Sequence, residues 1–314
     1  MSRLTTVAPS SRRERRIAVP IPRLAPVTTA TRPFSPSSMI ASAPKHTKLI
    51  NDTNMSGEVR NQMSAAHEVT DSRPPAAWVI GAGSGVGAAL VHELHRRGYA
   101  VALSGRRADR LEQTLREVQA AGAAPGSGRL VPHPLDVTDA TAMEAVHAAI
   151  VADIGEVEVL VFAAGLNTPR RYWADMDPVE SQQVYATNLI APTTATSLVL
   201  PGMRGIGKGT LIYVSSLSAW QHAPDAGVVY SASKKGMSTL PEHINSTEGR
   251  SGIRATAVVP GDIDSEFLEM RPNVPGAEAR KTMLTPKDVA AAVGMVIDQP
   301  RHVCVNELVI SPVR

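Results

Sequence analysis

Tyr230 and Lys234, in the run Tyr230-Ser231-Ala232-Ser233-Lys234, stand four residues apart, which on a helix places them on one face. A free tyrosine, with a pKa of about 10, is a poor general base at neutral pH. A nearby ammonium favours the phenolate and brings the hydroxyl closer to the operating pH. Alone, the spacing occurs by chance in many helices as an ordinary surface pair. Ser216 follows Val214-Ser215 at the end of an apolar run that reads as a strand. Ligands bind at that edge of open parallel sheets. A plain turn serine is the bland alternative, and the Tyr–Lys pair argues against it.

A second group of residues suits an anion. The run Gly81-Ala82-Gly83-Ser84-Gly85-Val86-Gly87 joins an apolar strand to a helix. Glycines there let the backbone turn tightly and approach a pyrophosphate, whose charge the helix N-terminus stabilises. The spacing of Gly81, Gly85 and Gly87 is GxxxGxG, not GxGxxG. After the next strand, the acid that would grip a ribose 2′-OH is absent, and Ser104-Gly105-Arg106-Arg107 stands in its place. Arginine suits a 2′-phosphate by charge and bidentate geometry. Two arginines at a helix start are mildly unfavourable unless an anion joins them. NADP is therefore expected rather than NAD. Asp136, in Leu135-Asp136-Val137, is placed to hydrogen-bond an adenine amino group or simply to cap a turn.

These residues must be positioned by elements, and from Ala76 onward the chain alternates between two periods. Strands are expected at Ala76–Ile80, Ala100–Ser104, Leu130–Pro134, Val159–Phe162, Thr210–Ser215, Arg254–Val259 and Glu307–Ile310. Between them helical spacing runs over Gly85–Gly98, Ala108–Ala121, Asp139–Asp153, Gln182–Leu200, Val229–Glu248 and Pro286–Ile297. Strands alternating with helices of this length imply βαβ units. The expected fold is α/β, a single doubly wound parallel-sheet (Rossmann) domain of about seven strands over residues 74–314.

Residues 1–73 differ in kind. They hold eleven Lys/Arg against five Asp/Glu, with recurrent proline and no sustained period. Such a segment cannot bury enough apolar surface to offset its ordering entropy, so a disordered basic tail is expected. Arg12, Arg13, Arg15 and Arg16 would suit an acidic surface, and an Arg- and Ser-rich leader would suit an organelle address. The plainer reading is that these residues precede the true start, with Met55 or Met63 as initiators. The remaining residues are slightly acidic, so no nucleic-acid partner is expected. No apolar run reaches membrane-spanning length, so no membrane is expected either. The single cysteine, Cys304, excludes an internal disulfide framework, and no metal site is expected. His92 and His95 lack a third ligand nearby. Arg170, Arg171 and Trp173 follow the fourth strand and could line a substrate mouth or be solvated loop residues.

The order GxxxGxG, LDVTD, Asn188, Ser216, YxxxK and Pro260-Gly261 resembles the short-chain dehydrogenase/reductase family over residues 76–314. The resemblance implies Tyr230 as catalytic acid/base, with Lys234 holding the nicotinamide ribose and lowering the tyrosine pKa. It implies that Ser216 polarises the substrate oxygen and that Asn188 holds a relay water. The implied cofactor set is Gly81, Ser84, Gly85, Val86, Gly87, Arg106, Asp136, Val137, Ala164, Gly165, Tyr230, Lys234, Pro260, Gly261 and Ile263. Two positions depart from the family: Ala163 replaces an asparagine that ties adjacent strands, and Ile80 replaces a threonine before Gly81. The C-terminal motifs Thr285-Pro286-Lys287-Asp288 and Gln299-Pro300-Arg301-His302 resemble bacterial NADP-dependent 3-hydroxy-acid and serine dehydrogenases. The implied activity is hydride exchange between NADP(H) and a small alcohol or carbonyl, in a cytoplasmic homodimer or homotetramer. A non-catalytic nucleotide-binding regulator or scaffold is the rival, and the intact Asn188, Ser216, Tyr230, Lys234 set argues against it.

Overall fold

The run Ala76–Ile80 is apolar at every position, so as a strand it can be covered on both faces only in the middle of a sheet. It does form β1 (Ala76–Ile80), and all five residues are buried. The structure is a computed structural model describing residues 73–122 and 128–313. The expected tail lies outside these residues except for Arg73. Among the described residues, β1 joins β2 (Ala100–Gly105), β3 (Leu130–Pro134), β4 (Val157–Phe162), β5 (Gly209–Val214), β6 (Ile253–Pro260) and β7 (Glu307–Ile310). Every pairing is parallel, in the order β3-β2-β1-β4-β5-β6-β7. The order reverses between β1 and β4, and in open parallel sheets ligands bind in the crevice outside the carboxyl ends of the strands at such a point.

Side chains alternate between two cores. Trp78 and Ile80 face the cluster that holds Met143, Phe162, Met203 and Met237. Ala77 and Val79 face the other cluster, with Leu90, Leu111 and Val293. The first core is covered by α3 (Ala140–Ile154), α5 (Ala191–Ile206) and α6 (Val228–Glu248). The second is covered by α1 (Gly85–Arg96), α2 (Ala108–Ala120) and α7 (Pro286–Ile297). Each large apolar side chain buried this way contributes about 1.5–3 kcal/mol. Trp78 keeps its polar atom satisfied by donating from Nε1 to Ser104 Oγ at 2.9 Å.

One helix differs from expectation. The single stretch expected over Gln182–Leu200 is α4 (Pro178–Tyr185), a π-turn at Ala186–Ile190, and then α5. It starts early because Asp177 caps it, accepting from Val179 N at 2.8 Å and Glu180 N at 3.1 Å, with Pro178 in the first turn. It ends late, at the left-handed Gly207, after running through Pro201. Both start signals were present in the sequence; the π-turn had none.

Candidate active site

Asn188 sits in the π-turn and is fully buried. Its Oδ1 accepts from Leu166 N at 2.8 Å, while Nδ2 donates to Leu166 O at 2.8 Å and Ser233 Oγ at 3.0 Å. The amide therefore fastens the loop after β4 to α6. Gly165 lies at the meeting point. A Cβ there would stand 3.5 Å from Lys234 Nζ, 3.6 Å from Phe267 Cε2 and 3.9 Å from Asn188 Oδ1.

Ser216 follows β5 and caps the single turn Leu217–Trp220, accepting from Ser218 N at 3.2 Å and Ser218 Oγ at 3.1 Å. Tyr230 and Lys234 lie on the first turns of α6, both buried. The Tyr230 ring packs on Phe267 with centroids 5.8 Å apart. Lys234 Nζ donates to Val214 O at 2.8 Å and lies 5.9 Å from the Tyr230 ring centroid. Burial pushes the Tyr230 phenol up to about 12, opposed by a hydrogen bond with Ser216 and by the charges of Arg171 and Arg271. Burial pushes Lys234 down to about 7. The expected lowering of Tyr230 by Lys234 is thus corrected. Burial outweighs it, and the lysine, aimed at a carbonyl and losing charge near neutrality, is not among the groups that pull the phenol down.

The Gly-rich turn is shaped as its residues require. Gly81 has φ +92°, and a Cβ on Gly87 would collide with Gly81 O. Gly81 N and Ala82 N both donate to Ser104 O, at 2.7 and 2.9 Å. Ser84 stands at the N-cap of α1 without a side-chain bond, followed by Gly85, Val86 and Gly87 in the first turn. The departures at Ile80 and Ala163 leave the strands tied by backbone: Ala163 N and Ala164 N donate to Ile80 O at 2.8 and 3.0 Å.

Farther along, Arg106 is exposed at the end of β2. Asp136 is exposed too, accepting from Thr138 N at 2.9 Å and Thr138 Oγ1 at 2.7 Å, while Val137 is buried. Those bonds, the backbone one foremost, hold its carboxyl below the usual range, and Arg106 adds to them. After β6, Gly261 N donates to Ile310 O at 2.8 Å and Ile263 bridges to Leu284. Beyond it Glu266 reaches across to Arg107 at 3.4 Å and to Arg110. Its neighbour Ser265 lies beside Gly85: a Cβ on that glycine would be 3.7 Å from Ser265 Cβ.

Arg170, Arg171 and Trp173 separate. Arg170 is exposed and pairs with Asp177 and Glu180, at 3.1 and 2.6 Å. Trp173 is 81% exposed, and Arg171 is buried. Phe267, Glu266 and Arg110 escaped the sequence reading, because no motif or period marks them. Among the described residues no group of three or more His, Cys, Asp or Glu could hold a metal, and no helix is long and apolar enough to cross a membrane.

The Gly-rich turn and the buried Tyr230–Lys234 pair stand at the carboxyl ends of one parallel sheet, and residues 75–273 match the model of the short chain dehydrogenase family. The chain belongs to that family of oxidoreductases. It is 33% identical over 248 residues to glycine betaine reductase ATRR of Emericella nidulans, covering 75% of this chain and 18% of that protein's length. Two solved structures share its fold at 27% identity. One is an alcohol dehydrogenase from Thermococcus sibiricus complexed with 5-hydroxy-NADP, at TM-score 0.66, covering 77% of this chain and 97% of that one. The other is a closed serine dehydrogenase complexed with NADP+, at TM-score 0.68, covering 76% and 94%.

Proposed function

We propose that the chain is an NADP(H)-dependent oxidoreductase interconverting a small secondary alcohol and its carbonyl. The observation that carries this reading is that Tyr230 and Lys234 lie buried together on the first turns of α6, with Lys234 Nζ on Val214 O at the carboxyl end of β5, the same edge as the Gly-rich turn after β1. The turn fits a dinucleotide: a Cβ on Gly81 would strike the backbone of Ala163 and Ala164 and one on Gly87 the carbonyl of Gly81, so only glycines let the chain close this tightly, and the first turn of α1 offers its N–H groups. Ser84, Val86, Ala164, Gly165, Pro260, Gly261 and Ile263 would line the cofactor, with Asp136 and Val137 at the adenine. Arg106, exposed and beside Gly105, would take the 2′-phosphate, in keeping with the NADP-type ligands of both solved relatives. Bound there, the nicotinamide would supply or accept the hydride.

The chain's own residues handle the proton. The Tyr230 phenol gives its proton to the substrate oxygen in reduction and takes it back in oxidation. The Ser216 hydroxyl hydrogen-bonds that oxygen. Lys234 grips the ribose, and Asn188 holds the loop after β4 at the depth the relay needs. Exposed Val179 and Tyr185 on α4, Ile190 in the π-turn and Val228 on α6 support self-association through these helices as a dimer or tetramer. A panel of secondary alcohols and carbonyls assayed with NADP(H) and NAD(H) tests the reading. Turnover preferring NADP(H) is expected, and no turnover with any pairing overturns it.

A further inference from the structure

Arg171, in the loop after β4, is 5% exposed. Among the described residues no carboxylate pairs with it, and its guanidinium spends its donors on backbone carbonyls. Nε donates to Thr168 O at 2.6 Å, Nη1 to Asp225 O at 3.4 Å, and Nη2 to Met270 O. Those carbonyls belong to three different loops: its own, the one leading into α6, and the one after β6. Gly227, at φ +80°, presses on the same residue, and a Cβ there would be 2.7 Å from Arg171 Cβ and from its carbonyl oxygen. All three loops border Tyr230.

Fastening carbonyls together does not require a full charge, and burying an unpaired one is costly. Burial lowers Arg171's own pKa from the ordinary guanidinium value, and its positive charge still acts on the phenol. Of the other groups near Tyr230, Ser216 lowers the phenol more, through a hydrogen bond, and Arg271 less. Lys234, from the same helix, points at Val214 O and is partly discharged by burial. Ser216, after β5, is neutral. Arg271, after β6, is paired with Asp262 at 2.6 Å.

We propose that Arg171 is a positioning residue that locks the three loops around Tyr230, its buried guanidinium adding positive charge at that end of the sheet. This rests on reading Tyr230 as the acid/base. Arg171→Lys keeps the charge but not the three-way clamp, and Arg171→Gln loses the charge. Two readouts separate the roles: the pH profile of kcat/KM for alcohol oxidation, and amide hydrogen exchange in the three loops, which needs no activity. Arg171→Lys should leave the pH limb in place while KM rises several-fold and loop exchange quickens. Arg171→Gln should quicken exchange too and move the limb upward by about one unit, roughly a tenfold loss of oxidation rate on the acid side. A limb unmoved in Arg171→Gln, or moved equally in Arg171→Lys, overturns the charge role. Unchanged exchange in Arg171→Lys overturns the clamp, and that milder variant decides it even where Arg171→Gln does not fold. An inactive wild type would sink the oxidoreductase reading alone, since exchange still tests the clamp.

Discussion

The two ends of the candidate site are built on opposite terms. Around Tyr230, Asn188 and Lys234 are buried and each polar atom is bonded to backbone or to a neighbouring hydroxyl. Around Arg106, the side chains are exposed and the best-held group, Asp136, is fixed by two bonds to Thr138. The difference separates two demands. Proton transfer depends on distances within a hydrogen bond's tolerance, so its residues are locked into the core, whereas choosing between two nucleotides needs only a charge of the right sign within reach. Substitutions at the first end should act on turnover, and those at the second on affinity.

The largest effect expected is that of Tyr230→Phe. It removes the hydroxyl and nothing else, so kcat should fall by about 10²- to 10⁴-fold with cofactor affinity and thermal midpoint near wild type. Retained turnover would break the division between the ends. Arg106→Ala should do the reverse, weakening NADP by about ten- to a hundredfold, the worth of one charge-assisted hydrogen bond, with NAD binding and melting temperature unchanged. Equilibrium titration of tryptophan fluorescence measures it, and equal losses for both nucleotides would sink the 2′-phosphate assignment. Gly105→Asp should shift preference toward NAD.

The smallest effect lies away from both ends. Burial holds His133 and His147 below their ordinary value of 6.5, and His147 packs against Trp78 with ring centroids 5.9 Å apart. The unfolded chain takes up their protons first as pH falls. Their contribution is therefore whole above about pH 6.5 and is lost as pH drops through the lower folded values. Denaturant melts of His147→Gln should show a shallower acid loss than wild type, by less than about 1 kcal/mol. The pH limb of activity should stay where it is. A moved limb would show that the core beneath β1 and the proton-transfer end are coupled.

Much of this was legible beforehand, for physical reasons that stop at identifiable places. β1 and α7 lie where the sequence put them, because a five-residue apolar run and a Thr-Pro start capped three residues on by Asp288 are local signals. Spacing alone singled out Ser216, Tyr230 and Lys234 as candidates, and the structure places Tyr230 and Lys234 buried on adjacent turns of α6 and Ser216 just after β5. The burial of Arg171 was not legible, since its partners Asp225 and Met270 lie 54 and 99 positions away. Nor was the direction of the Tyr230 shift, which is decided by desolvation, a sum over surroundings that no motif records.

The π-turn at Ala186–Ile190 bears on how this chain can be altered. One residue beyond the α-helical count rotates everything after it by about 100° about the axis, so α4 and α5 are out of phase. Counting i, i+4 across the junction pairs residues that do not share a face. Deleting one residue there would restore an unbroken helix and swing either Asn188 away from Leu166 or the apolar stripe of α5 off the sheet. The segment therefore has a fixed length for a mechanical reason, and it should tolerate replacement of side chains at Thr187 or Leu189 far better than the loss of a single position.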